Sequence, residues 1–290
     1  MKHIDFRDQI QRNKLKSFFL ITIISIILIA LGYAISFMFA PELFFTIMII
    51  AIMISVGYTW FSFYNSHKIA IKSVGAKLAK RSEYPDYYRL VEGLTIASGL
   101  PMPKLYIMPS KNINAFASGR NPQNAVICVT TGILEKLDRR ELEGVLAHEL
   151  GHIANYDIRF ITLVSVMVGM VAIISQIFLR SMWFRSSDDN KAGMIIMIIG
   201  IVMAILAPIA VQLVQLSISR KREFTADATA VKFTRNPQAL IGALEKIKHE
   251  NTPEKKVSKA IAPLFFSSPM KNLTSTHPSL EKRIETLKRM

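Results

Sequence analysis

The chain is nearly without cysteine. Cys128 stands alone among 290 residues, which rules out an intramolecular disulfide framework and any zinc site built from several cysteines. Acidic residues are also scarce: 21 Asp and Glu face 36 Lys and Arg, for a formal net charge of +15. That excess suits either nucleic acid or an anionic lipid surface. No DNA- or RNA-binding motif accompanies it, so anionic lipid is the expected partner and nucleic acid is not. Internal repeats and low-complexity segments are absent, and "TPEKKVSK" at 252–259 reads as an exposed loop.

Charge itself is missing over long distances. The stretches 17–40, 43–66, 160–179 and 192–219 contain no Asp, Glu, Lys or Arg. Each is about the ~20 residues that a helix needs to cross the hydrocarbon core. With 51% hydrophobic residues and a mean hydropathy of +0.31, they predict four membrane spans. The first run is too long for a signal peptide and has no small-residue cleavage site, so it reads as a retained anchor.

Lysine and arginine then set the orientation. Lys2, Arg7, Arg12, Lys14 and Lys16 precede the first span; Lys68, Lys72, Lys77, Lys80 and Arg81 follow the second; Arg220, Lys221 and Arg222 follow the fourth. Only Pro41 and Glu42 join the first two. The positive-inside rule places both termini and 66–158 in the cytoplasm. Arg180, Arg185 and Lys191 in the other outer loop run against this, with Asp188 and Asp189 among them. The expected organisation is a transmembrane hairpin at 1–66, a cytoplasmic domain made of 67–157 and 220–290, and a second hairpin at 158–219 inserted into it.

The first cytoplasmic piece opens with helical periodicity through "AIKSVGAKLAK" and "YPDYYRLVEGLTIASG". Strand-like runs follow, "KLYIM", "INAFAS" and "AVICVT", separated by Pro, Gly and Asn turn signals. Asp138 and Glu141 form a capping box that starts another helix. Leu142, Val145, Leu146, Leu150 and Ile153 give that helix an apolar stripe.

On the same helix stands "HELGH", His148 to His152. Two histidines four apart lie one turn apart on one face and can grip a metal together. Glu149 beside them is placed to take a proton from water. The competing reading is a pair of ordinary histidines on a surface or core helix. A catalytic zinc needs a third protein ligand and an open position. The metzincin continuation would put glycine at 155 and histidine at 158, where Asn155 and Ile158 stand, so that subclass is excluded. Glu223, in "SRKREFTADATA", is the best candidate, with Asp227 one turn on to orient a ligand histidine. Small residues at 226, 228 and 230 would let this helix approach the HELGH helix. A solvated charge on a basic helix is the alternative for Glu223; Glu245, Glu250 and Glu254 lack the helical companion and small neighbours.

The inserted hairpin fits this assignment, because two spans return the chain to the side it left. His152 and Glu223 then emerge at one interface, at the cytoplasmic mouth of the membrane. Pro208, Gln212 and Gln215 in the long fourth span suggest that its end projects into the catalytic domain.

"HELGHIANYD", "SRKREFTADATA", "INAFASG" and "STHPSLEKRI", in this order with four spans, resemble the HtpX-type membrane zinc metalloproteases, relatives of the CAAX prenyl endoproteases. The resemblance covers nearly the whole chain. It implies a multi-pass α-helical membrane protein with a mainly α (α+β) zincin domain of gluzincin type, whose small sheet offers a substrate-binding edge strand. "INAFAS" or "AVICVT" would supply that edge, adding the peptide by main-chain hydrogen bonds. It implies one Zn2+ per chain, held by His148, His152 and Glu223, with Glu149 as general base. The expected substrates are misfolded or damaged proteins of a bacterial cytoplasmic membrane, cleaved in stress-related quality control.

The resemblance further implies that Asn114 and Ala115 contact substrate, and that His277 and Arg283 face the metal, His277 as a donor to the oxyanion held or assisted by Arg283. Spacing alone favours a turn residue for Asn114, a capping residue for His277 and a solvated side chain for Arg283. Ser279 stands where the family pattern has a second proline.

Three other functions compete. A prenyl-protein protease would be expected to have more spans. A catalytically silent, chaperone-like zinc protein would not need Glu149. A transporter would need ionisable groups within its spans, where only Arg159 stands, at an edge.

Overall fold

In the computed structural model the described residues are 44–162, 220–250, 264–267 and 278–290, together with Leu15, Phe19, Thr22 and Val202. The first described helix, α1 (Phe44–Ser73), takes in 44–66 of the run expected as the second span and continues beyond it. Phe45, Ile49, Met53, Trp60 and Phe61 on it are exposed, whereas Lys68 and Lys72 lie in its last part. Among the described residues no helix is long and apolar enough to cross a membrane. The expected spans at 17–40, 160–179 and 192–219 lie outside the described residues but for a few positions, as does the loop at 252–259.

The helix expected through "AIKSVGAKLAK" ends early. Gly75 adopts φ 64°, a left-handed conformation that glycine takes without a Cβ clash and that stops a helix. The chain then turns into strand β1 (Lys77–Leu78), and the Ala79 N–H donates to the Leu105 carbonyl at 2.9 Å. Helix α2 (Pro85–Ser98) follows, with proline in its first turn and Gly99 in the left-handed conformation at its end.

The strand-like runs are strands. Strands β2 (Lys104–Met108), β3 (Ala115–Gly119) and β4 (Ala125–Thr130) join β1 in one sheet of order β1-β2-β4-β3. β2 lies parallel to β4, while β1 on β2 and β3 on β4 are antiparallel. Ile127 and Val129 pack into one apolar cluster, with α2 and the helices described next; Val126 and Cys128 pack into the other, with Ala70 and Ile71 of α1. Burial on both faces explains why "AVICVT" is continuously apolar instead of alternating. β4 is therefore interior and β3 is the edge strand, so of the two expected edges it is "INAFAS" that provides one.

A short helix, α3 (Thr131–Lys136), leads into α4 (Arg139–Ala154). The Asp138 carboxylate accepts from the Glu141 N–H, and Glu141 reciprocates to Asp138 N–H, so the capping box forms as expected. Leu142, Val145, Leu146, Leu150 and Ile153 are all buried; each fully buried side chain of this kind contributes about 1.5–3 kcal/mol. α5 (Arg220–Thr234), α6 (Pro237–Glu250) and α7 (Leu280–Leu287) complete the described elements. The cap of α7 is Ser279, whose hydroxyl accepts from the Lys282 N–H at 3.4 Å. The hydroxyl at this position satisfies one of the first N–H groups of the helix.

Candidate active site

α4 and α5 come together over glycine and alanine. A Cβ on Gly151 would lie 3.1 Å from the Ala226 carbonyl oxygen and 3.3 Å from its Cα, so the two backbones are in direct contact. Ala226 and Ala230 are buried in this interface as expected. Ala228 is exposed and takes no part in it, because on a helix a residue two positions from the contact points away from it.

This approach gathers His148, His152 and Glu223, all buried, with one ligand atom of each within 4.8 Å of the others. The two histidine Nε2 atoms are 3.1 Å apart. Glu223 Oε2 is 3.7 Å from His148 Nε2, and its Oε1 is 3.5 Å from His152 Nε2. Tetrahedral zinc with Zn–N bonds near ~2.0–2.1 Å needs donors about 3.4 Å apart, so this donor set fits zinc. Glu245 and Glu250 are exposed on α6, and Glu254 lies outside the described residues.

Each histidine is oriented from behind. His148 Nδ1 lies 2.8 Å from Asp227 Oδ1, and His152 Nδ1 lies 3.2 Å from Asp157 Oδ2. A proton on each Nδ1, donated to a carboxylate, leaves both Nε2 lone pairs facing the common centre. Asp227 was expected from the sequence; Asp157 was not. After α4 ends, Tyr156 takes the left-handed conformation at φ 58°, which is rare for a bulky residue. The reversal brings Asp157 back to His152. Its signal in the sequence was an acidic residue closing "HELGHIANYD", and the Arg222 Nε 3.7 Å from its Oδ1 shows that α5 helps to hold it.

Arg283 of α7 is completely buried. Its Nε donates to Asp227 Oδ2 at 2.9 Å and its Nη2 to Asp227 Oδ1 at 2.6 Å. Nη1 stands 3.6 Å from Glu223 Oε2. Arg283 therefore belongs to the site and is not a solvated side chain. Burial alone would raise the Asp227 pKa, but the Arg283 and His148 beside it hold the carboxyl below its usual range. His277 lies outside the described residues.

Glu149 is buried beside the triad, and the Ala117 N–H of β3 donates to its carboxylate. Burial is the main cause that pushes its pKa up to about 7, with the nearby Glu223 charge adding to the rise. A carboxyl poised near neutrality can both take and return a proton.

Asn114 precedes the edge strand and is buried. Its Oδ1 accepts from the Ala115 N–H at 3.0 Å, the local bond of a turn residue. The same oxygen accepts from the Ser267 N–H at 3.1 Å, and its Nδ2 donates to the Ser267 carbonyl at 2.9 Å. Leu264, Phe265 and Phe266 wall the pocket that Ala117, Glu149, His152 and Glu223 line. This stretch was not singled out from the sequence, where it is a short apolar run far from the HELGH motif.

A model described as Peptidase family M48 matches residues 81–290. A Protease HtpX homolog of Dictyoglomus thermophilum is 40% identical over 294 residues, covering 100% of this chain and 96% of that one. Another of that name, from Thermoanaerobacter pseudethanolicus, is 42% identical over 285 residues, covering 95% of each. Among solved structures, Ste24p of S. mikatae matches with a TM-score of 0.48 at 19% identity, over 97% of this chain and 66% of that chain.

Proposed function

The chain belongs to peptidase family M48 and is a metalloprotease, and from that premise we propose that it is a zinc-dependent endopeptidase of misfolded or damaged membrane proteins. The observation that carries the proposal is the buried triad of His148, His152 and Glu223, with donor atoms at zinc-binding separation and Glu149 beside it. Zinc bound there supplies a Lewis acid that polarises the scissile carbonyl and makes a neighbouring water more acidic. Glu149 takes the proton from the attacking water and returns it to the leaving amine. Asp227 and Asp157 hold the histidine rings. β3 receives the substrate in extended form, through main-chain bonds that read little sequence. Arg283 sets the charge around Asp227 and Glu223, and His277 donates to the oxyanion.

In the same proposal the uncharged runs at 17–40, 43–66, 160–179 and 192–219 anchor the protein in a bacterial cytoplasmic membrane. The parts 67–157 and 220–290 then form one catalytic domain on the cytoplasmic face, against anionic lipid. The exposed apolar side chains of α1 support this reading.

Purified full-length protein in detergent should degrade unfolded casein with zinc and stop on chelation. Cleavage confined to prenylated peptides would move the assignment to a prenyl-protein protease, and no cleavage of either would end it. For orientation, single cysteines at Ser110 and at Ser187 should be shielded from, and open to, an impermeant thiol reagent in intact cells. Burial pushes the Cys128 thiol far up, so the native cysteine adds little background.

A further inference from the structure

We infer that Leu264–Ser267 is an internal occupant of the substrate edge, which an extended apolar peptide must displace to reach the metal triad. The inference rests on the reading of β3 as the peptide-binding strand.

β3 pairs with another strand on one side only, β4. Its other side offers the main-chain groups that an added peptide would use. Several are already taken: the Phe266 N–H donates to the Ala115 carbonyl at 2.8 Å, the Ala115 N–H to Asn114 Oδ1 at 3.0 Å and the Gly119 N–H to Thr162 Oγ1 at 3.4 Å, while the Ala117 N–H turns to Glu149. The next residue is held like a partner strand by a side chain. Asn114 has an amide, the same pair of groups as a peptide unit, and it binds both the N–H and the carbonyl of Ser267. Asn114 and Ala115 are the two residues expected to contact substrate, and both are engaged by the chain's own backbone.

The side chains follow the same course. Phe265 packs edge-on against Phe116 at 5.2 Å, on the face of the sheet turned towards α1. Phe266 lies edge-on to His148 at 4.8 Å and under the Arg283 guanidinium at 4.6 Å. Its carbonyl accepts from Arg283 Nη1 at 3.4 Å. An apolar residue thus sits over a metal-ligating histidine, where the residues flanking a scissile bond would pass. A peptide that replaces this stretch must supply apolar side chains of similar size, which selects segments normally buried in a fold or in lipid.

The stretch is not a fifth strand: it is irregular, with one main-chain bond to β3. A longer peptide pairing along β3 exchanges this bond and the side-chain bonds of the edge for a run of main-chain ones, and can compete. Occupancy by the chain itself reduces apparent affinity by the fraction of molecules that are open.

The test uses zinc-loaded full-length protein in detergent with a fluorescent apolar decapeptide, and reads affinity by anisotropy, turnover, and hydrogen exchange of 264–267. Peptide binding should speed exchange of 264–267 and slow that of β3. Ser267→Pro deletes the N–H that Asn114 accepts, and Phe265→Ala removes the ring on Phe116. Each should tighten peptide affinity about three- to tenfold. Binding that leaves 264–267 protected overturns the inference, as does unchanged or weaker affinity in both variants. Turnover separates it from the proposed function: cleavage without exposure of 264–267 sinks only the internal occupant, and exposure without zinc-dependent cleavage sinks only the protease.

Discussion

Arg283 meets Asp227 through two nitrogens at once, Nε at 2.9 Å and Nη2 at 2.6 Å. The oxygen that receives Nη2 is also the one 2.8 Å from His148 Nδ1, and Nη2 itself lies 3.3 Å from the same nitrogen, so α7 bears on His148 both through the carboxylate and directly. Arg283→Lys keeps the charge and loses the fork. It should weaken zinc by about ten- to a hundredfold, read by chelator competition. Arg283→Met leaves a buried carboxylate without its partner and should cost about 3–5 kcal/mol of stability in denaturant unfolding.

Glu149 stands outside the group of His148, His152 and Glu223 that could hold a metal, and its proposed task is proton transfer. Glu149→Gln should retain stoichiometric zinc while turnover falls by about 10²–10⁴-fold. Zinc content by elemental analysis and casein cleavage on one preparation decide this. Loss of zinc would reassign the ligands, and retained turnover would remove the base.

Glu223 is set apart from its rivals by burial. Glu223→Ala should abolish both activity and tight zinc binding, whereas Glu245→Ala and Glu250→Ala, on the exposed face of α6, should change neither. Normal zinc affinity in Glu223→Ala would take it out of the coordination set.

Asp157 makes the corresponding test for the residue that the sequence did not suggest. Asp157→Asn preserves shape but no longer offers two acceptors to His152 Nδ1 and Arg222. Zinc affinity should fall by about ten- to a hundredfold, with thermal stability of the metal-free protein little changed. An unaltered zinc affinity would reduce the 3.2 Å contact to packing.

Gly144 probes the scaffold behind the site. A Cβ there would lie 2.8 Å from the Leu240 nitrogen and 2.9 Å from the Ala239 carbonyl carbon, both backbone atoms of α6. Gly144→Ala should push the helices apart and destabilise by about 1–3 kcal/mol. A rise in the melting temperature would show that the two helices have slack.

Where sequence and structure agree, the cause is local. The capping box of α4, its apolar stripe and the strands "KLYIM" and "AVICVT" are set by neighbours along the chain, so they are legible before folding. HELGH is legible for the same reason: one helical turn fixes the relation of His148 to His152. The parts that were not legible depend on distant partners. Gly75 reads as a helix residue until its left-handed conformation is seen. Asp157 depends on a turn through Tyr156, and Leu264–Ser267 on an edge more than a hundred residues away. Ala228 was included with its neighbours because small size is visible in a sequence, whereas the facing side of a helix depends on what packs there.

The contact of Gly151 with Ala226 has a consequence for how the chain holds itself together. With the proposed ligands His152 and Glu223 on either side of it, a bound ion would be a cross-link that ties the two ends of everything between them. Ion binding is then folding energy as well as chemistry. In the proposed topology the length of the tied stretch answers to the two bilayer crossings it makes. Its base, where two helices touch through a glycine and an alanine, answers only to that contact.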